Sequence, residues 1–161
     1  MLTDHMGVVR GLADFKGKAV VLFFGYTQCP DVCPTTMAEL ASAMKKLGKA
    51  AEDVQVLFVT LDPEHDSPSA LKQYLSGFNS QFLGLRGDDE AVRELVSEFK
   101  AFSQKRAEAP AGDQRGQHTI EHSSGVYIFD PRGQLRLYAK SSGDGGDAIA
   151  RDLGELLKPA A

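Results

Sequence analysis

Tryptophan is absent from the 161 residues and tyrosine is scarce, which argues against a platform for stacking nucleic-acid bases. Positive charge is not in excess either. Eighteen Lys+Arg stand against 22 Asp+Glu, net −4, and no basic run is dense enough to track phosphates, so no nucleic-acid partner is expected. Long apolar runs are missing: the longest, Ala19 to Gly25, is far below the ~20 residues needed to cross a bilayer. The start, Met1-Leu-Thr-Asp-His-Met6, has neither a charged nor an apolar signal region. Taken at face value, the chain reads as soluble and cytosolic. Cysteine is the most telling shortage, with only Cys29 and Cys33. Two cysteines make no disulfide scaffold and cannot supply the four ligands of an all-cysteine zinc site. What is present suffices for one core. With 42% hydrophobic and 25% charged residues, a chain of this length reads as one globular domain, residues 1–161, and not as a disordered one.

Ala19-Val-Val-Leu-Phe-Phe24 has the continuous apolar character of a central strand buried on both faces, and Val54 to Leu61 predicts a second. Between them, Met37, Leu40, Ala41, Met44 and Leu47 recur at helical spacing, with Thr36 and Glu39 as a capping box and Gly48 as the stop. Ser67-Pro68 marks a helix start backed by Leu71, Tyr74, Leu75 and Phe78. Phe82 to Leu85 is a short strand. Asp88 or Asp89 caps a third helix that buries Val92, Leu95, Val96 and Phe99. Residues 103–117 are polar and carry Pro110, Gly112 and Gly116, which predicts a long loop. Val126–Phe129 and Leu135–Tyr138 flank the turn Asp130-Pro-Arg-Gly133 as a hairpin, and Asp147 caps a last helix buried through Ile149, Leu153, Leu156 and Leu157. The order β-α-β-α-β-α-loop-β-β-α is that of a thioredoxin-like α/β fold: a central mixed sheet flanked by helices, with a terminal β-hairpin and a C-terminal helix.

The chemistry concentrates at Gly25-Tyr-Thr-Gln-Cys-Pro-Asp-Val-Cys-Pro-Thr-Thr36, between the first central strand and the first helix. Sites in open α/β sheets form beyond the carboxyl ends of strands, and a helix N-terminus favours thiolates. If the Cys-x3-Cys segment is helical, both sulfurs share one face; if it is a loop, Pro30 and Pro34 restrict it and the sulfurs still converge. Such a pair serves as a redox dithiol, as two soft donors suited to Cu(I), or as two buried, inert cysteines, a role that the two prolines and polar neighbours disfavour. A third ligand would come from four histidines: His5 at the N-terminus, His65 just past the second strand, and His118 and His122 before the hairpin. His122, four residues ahead of Val126, is the best placed of them.

These segments together resemble the Sco/SenC family of copper-binding cytochrome c oxidase assembly proteins. The stretch Phe23 to Thr36 is similar to the family's cysteine signature. Leu61-Asp-Pro-Glu-His-Asp-Ser-Pro68 resembles its Asp-Pro-Glu-Arg-Asp-Thr segment, and Glu121-His-Ser-Ser124 its Asp-His-Ser element. Leu2-Thr-Asp-His5 and Leu12 to Lys18 resemble its start. His65 stands where the family usually has Arg, and Glu121 where it often has Asp. The resemblance implies a thioredoxin-like domain that binds one copper, Cu(I) or Cu(II), through Cys29, Cys33 and His122. Cys29 and Cys33 would double as a reversible disulfide pair, and Asp62 and Glu121 would orient ligands. The implied client is the dinuclear copper centre of cytochrome c oxidase subunit II, or another copper protein or chaperone. The chain would deliver copper, reduce the client's cysteines, or both. Because the family is tethered by an N-terminal membrane segment, the resemblance replaces the cytosolic expectation. It implies a soluble part of an anchored or exported protein on the periplasmic side of the bacterial inner membrane, or its counterpart in the mitochondrial intermembrane space. The competing expectation is a thiol-disulfide oxidoreductase of the thioredoxin superfamily with no obligatory metal. The Cys-x3-Cys spacing, and Glu121-His-Ser-Ser-Gly125 without a proline, distinguish the chain from Cys-x2-Cys reductases.

Overall fold

The run Ala19–Gly25 forms a strand, β3, with all seven residues buried, because it lies inside a sheet covered on both faces. The computed structural model describes residues 2–27, 32–88, 90–98, 125–140 and 146–157. Before β3 come two short strands, β1 (Leu2–Asp4) and β2 (Val9–Arg10), and a 3-10 turn at Leu12–Phe15. After it come α1 (Val32–Leu47), β4 (Val54–Thr60), α2 (Pro68–Ser76), β5 (Leu83–Arg86) and the helical residues 90–98, here α3. The hairpin β6 (Gly125–Phe129) and β7 (Leu135–Lys140) and the helix α4 (Asp147–Leu157) complete the described elements.

The strands form one mixed sheet in the order β2-β1-β5-β4-β3-β6-β7. β3 is parallel to β4, and β4 to β5, whereas β6 runs antiparallel to β3 and β1 antiparallel to β5. Alternation along the strands sorts the apolar run into two cores. Ala19, Val21 and Phe23 join Val56 and Phe58 beneath Met37 and Leu40 of α1, Leu71 and Leu75 of α2, and Ile149 and Leu153 of α4. Val20, Leu22 and Phe24 join Leu57, Val59 and Tyr127 on the other face, with Phe15 and Val92. Phe23 and Phe58 pack with ring centroids 5.8 Å apart, and burying rings of this size is worth about 1.5–3 kcal/mol each. Where α1 meets the start of α4, Gly146 has φ +91°, and a Cβ there would come within 2.5 Å of the Glu39 carbonyl oxygen, so only glycine fits.

Several expectations need correction. Thr36 does not cap α1: the helix begins at Val32, with Pro34 in its first turn, where proline costs no hydrogen bond. Thr36 lies inside the helix, buried, and its Oγ1 has no partner among the described residues. Asp147 is the first residue of α4, and its carboxylate meets Lys46 of α1. The N-terminal residues, for which the sequence predicts no element, form the β1–β2 hairpin at the sheet edge. By contrast, Ser67 accepts a hydrogen bond from the Ala70 amide (3.1 Å), and Asp88 from the Ala91 amide (2.7 Å), as caps should. Phe99 and the loop expected over 103–117 lie outside the described residues.

Candidate metal centre

The parallel strands β3, β4 and β5 all end at one edge of the sheet, and the cysteine segment leaves β3 from that edge. α1 starts at Val32, so Cys33 is its second residue. Cys29, the Cys33 side chain, His118, Glu121 and His122 lie outside what the structure describes. The strands that carry these segments are described. β3 and β6 pair antiparallel, with Leu22 opposite Tyr127. The C-terminal end of β3 therefore adjoins the N-terminal end of β6. Cys29 stands four residues beyond Gly25, the last residue of β3, and His122 three residues before Gly125, the first of β6.

Where the loops after β3 and β4 meet lies a polar cluster that no local sequence signal marks. Asp66, in the loop from β4 to α2, is fully buried. Its Oδ2 accepts from the Thr27 amide (3.1 Å) and the Thr60 hydroxyl (2.6 Å), and its Oδ1 accepts from the Thr27 hydroxyl (2.6 Å). The Thr60 Oγ1 in turn accepts from the Asp62 amide at 2.9 Å. Arg86, at the end of β5, donates from Nε to the Asp66 carbonyl (3.0 Å) and from Nη2 to the Pro63 carbonyl (3.1 Å). The Leu61 amide donates to the Gly25 carbonyl at 2.8 Å. The loops that follow β3 and β4 are thus joined by side chain and backbone. The only sequence hint was an aspartate one residue before a Ser-Pro helix start, which by itself reads as a capping turn.

Asp62, expected to orient ligands, has its carboxylate on His65 Nδ1 (2.9 Å) in its own exposed loop. His5 is held at the sheet instead of hanging free. Its Nδ1 accepts from the Gly84 amide of β5 at 3.1 Å, and burial pushes its imidazole below the ordinary value, a fall that Asp4 opposes and Lys72 reinforces. Among the described residues no group of three His, Cys, Asp or Glu side chains is placed to hold a metal, so His5 and His65 belong to no such cluster. A cleft of about 330 Å3 lies at the opposite end of the sheet, lined by Lys18, Val54 and Phe82 among others, away from the cysteine segment.

A mixed sheet with a cysteine pair at the junction of its central strand and first helix, a closing hairpin and a C-terminal helix defines a thioredoxin-like α/β protein. The SCO1/SenC family model matches residues 1–158, and the chain belongs to that family. It is 33% identical over 133 residues to an SCO2-like protein of Rickettsia conorii, an overlap covering 83% of this chain and 63% of that relative. Among solved structures it resembles apo Sco1 of Thermus thermophilus (TM-score 0.76, 38% identity, 97% of this chain and 88% of that one). It also resembles Bradyrhizobium japonicum ScoI with copper bound (TM-score 0.77, 31% identity, 97% and 96%). The chain thus spans less than two thirds of the length of the Rickettsia relative.

Proposed function

We propose that this chain binds one copper ion through Cys29, Cys33 and His122 and passes it to another copper protein, the dinuclear copper centre of cytochrome c oxidase subunit II being the fitting client. The observation that carries this reading is the pairing of β3 with β6, which sends the cysteine segment and the histidine segment out from the same end of adjoining strands. At about 3.3–3.6 Å per residue, four residues from Gly25 and three from Gly125 reach at most ~14 and ~11 Å, enough to meet over that edge. The donor set fits the cargo. Two thiolates suit Cu(I), and an imidazole adds a donor that also suits Cu(II). The copper-bound ScoI structure supports the same cargo here.

The chain itself has simple work in this scheme. It presents two sulfurs, holds the third donor on a separate segment so that the set can open, and keeps the assembly on a rigid sheet edge. We further propose that residues 1–161 act as one domain, and that it works on the periplasmic side of the bacterial inner membrane or in the equivalent mitochondrial compartment. Among the described residues no helix is long and apolar enough to cross a membrane.

The test is copper titration of the reduced protein under anaerobic conditions. One equivalent of Cu(I) is expected to bind tightly, and Cys29→Ser or Cys33→Ser to abolish it. His122→Ala should weaken Cu(II) more than Cu(I) and remove or shift the thiolate-to-Cu(II) absorption band. Stoichiometric, tight Cu(I) in either serine variant would overturn the ligand set. The thioredoxin-like fold favours one second reading, thiol-disulfide exchange without metal: a Cys29 or Cys33 thiolate attacks a client disulfide, and the other displaces the client, leaving a Cys29–Cys33 disulfide and a reduced client. Vigorous insulin reduction, with no copper-dependent slowing of hydrogen exchange across 103–122, would make that reading the better one.

A further inference from the structure

Two of the three hydrogen bonds onto Asp66 have a fixed direction, and both end on Oδ2. Thr60 Oγ1 already accepts from the Asp62 amide, so its single proton is left for Asp66. The Thr27 amide can only donate, and the Thr27 hydroxyl lies 2.6 Å from the other carboxylate oxygen. Asp66 therefore accepts three times, on both oxygens, from two segments 39 residues and six residues away. An asparagine can keep its oxygen on the Thr27 amide and the Thr60 hydroxyl and turn its NH2 to the Thr27 hydroxyl, which accepts, so only removal of the side chain breaks all three bonds. The aspartate is itself held from below, because the Arg86 fork grips the carbonyls of Pro63 and Asp66. Thr27 is thus tied through Asp66 to β4, and through Arg86 to β5. Cys29 follows Thr27 by two residues, a span of about 7 Å at most.

We propose that Asp66 is the positioning residue of the cysteine segment: by clamping the backbone and hydroxyl of Thr27 it sets where Cys29 stands relative to the start of α1, and so tunes how the two sulfurs receive and release copper. This rests on the copper reading above, although the clamp acts on the thiols whether or not copper is their cargo. Groups that orient metal ligands in this way commonly change affinity 10–100-fold when removed. Asp130 provides a control. It is also buried and accepts three hydrogen bonds, from the Arg132 and Gln134 amides and from Arg136, but in the β6–β7 turn.

The experiment compares the wild type with Asp66→Ala, Thr27→Val and Asp130→Ala in the full chain. It reads Cu(I) affinity by chelator competition, the alkylation rate of the reduced protein, amide exchange at Thr27, and urea unfolding. Alkylation reports only on Cys29 and Cys33, since the chain has no other cysteine. Asp66→Ala is expected to lower copper affinity by roughly 10-fold or more, to speed alkylation several-fold and to expose the Thr27 amide. Thr27→Val should do the same to a smaller degree, and Asp130→Ala should move only the urea midpoint. If Asp66→Ala loses its cooperative transition, Thr27→Val carries the decision on the same readouts. Wild-type alkylation in a folded Asp66→Ala or Thr27→Val protein, or an equal change in Asp130→Ala, would overturn the proposal. Absence of Cu(I) binding by the wild type would instead sink the copper reading, while the alkylation arm still decides the role of Asp66.

Discussion

The two hairpins and the site edge each depend on a buried aspartate, but they use it differently. In the β1–β2 hairpin, Asp4 Oδ1 accepts from the amides of Met6 (2.8 Å) and Val8 (2.9 Å), and its Oδ2 from Arg10 Nε (2.8 Å). In the β6–β7 hairpin, Asp130 Oδ1 accepts from the amides of Arg132 (3.0 Å) and Gln134 (3.0 Å), and its Oδ2 from Arg136 Nη1 (3.1 Å). The pattern is the same in both: two amides at positions two and four along, and an arginine at six. Each turn is a self-contained device that neutralises its own charge. Asp66 has no such local set. Its donors come from the end of β4 and from the segment following β3, and the nearby arginine grips backbone carbonyls. A local aspartate stabilises a turn; a long-range one sets the relative position of two loops.

Truncation separates the two kinds of aspartate most strongly. Removing a carboxylate that leaves several buried donors unpaired costs about 1–3 kcal/mol per group. Asp66→Ala is therefore expected to lose more stability in urea than Asp4→Ala or Asp130→Ala, by about 1–2 kcal/mol, because its surroundings are the most completely buried. Equal losses in all three would show that the clamp is no different from a turn.

Acid sharpens the contrast next. Burial pushes the Asp4 carboxyl up, but Arg10 and the Val8 and Met6 amides outweigh it and hold the group below its ordinary 3.8. For Asp130 burial likewise pushes up, and the Gln134 and Arg132 amides together with Arg136 outweigh it. A carboxyl depressed in the folded state contributes stability that is fully present above its unfolded value and is lost as pH falls through the folded one. The urea midpoint should therefore drop as pH falls below 3.8, and the drop should shrink in the double variant Asp4→Asn/Asp130→Asn. An unchanged acid slope in that variant would remove both turns as its source.

The smallest effect belongs to His5. Burial lowers its imidazole below 6.5, so its contribution is present above that value and lost as pH falls through the lower folded value. His5→Ala should flatten stability just below 6.5 and leave Asp66-dependent thiol reactivity untouched. A change in cysteine alkylation would mean that the N-terminal hairpin is coupled to the site edge.

Local pattern and long-range contact divided what the sequence could disclose. Ala19 to Phe24 announced a strand buried on both faces, since only a doubly covered strand has no polar side to show. Ser67-Pro68, Asp88 and Asp130-Pro-Arg-Gly133 announced two helix starts and a turn, because those signals act within a few residues. The same locality misled at Thr36, where a Thr-x-x-Glu pattern looked like a cap although the helix had already begun at Val32. β1 and β2 span three and two residues, too short for any periodicity to register, and they exist because the edge of β5 pairs with β1 and β1 in turn pairs with β2.

At the site the same division holds. The cysteine spacing, its place after a central strand and the histidine before the hairpin were all legible along the chain, and with them the family. That the histidine and cysteine segments share an edge follows from the antiparallel pairing of β3 with β6, a contact between residues about a hundred positions apart. Asp66 was invisible for the same reason: an aspartate's burial and its donors are set by which loops the sheet brings together. Sequence decides what each short stretch prefers, because propensity and capping are near-neighbour effects. Only the folded sheet, whose pairings join distant stretches, decided which groups meet.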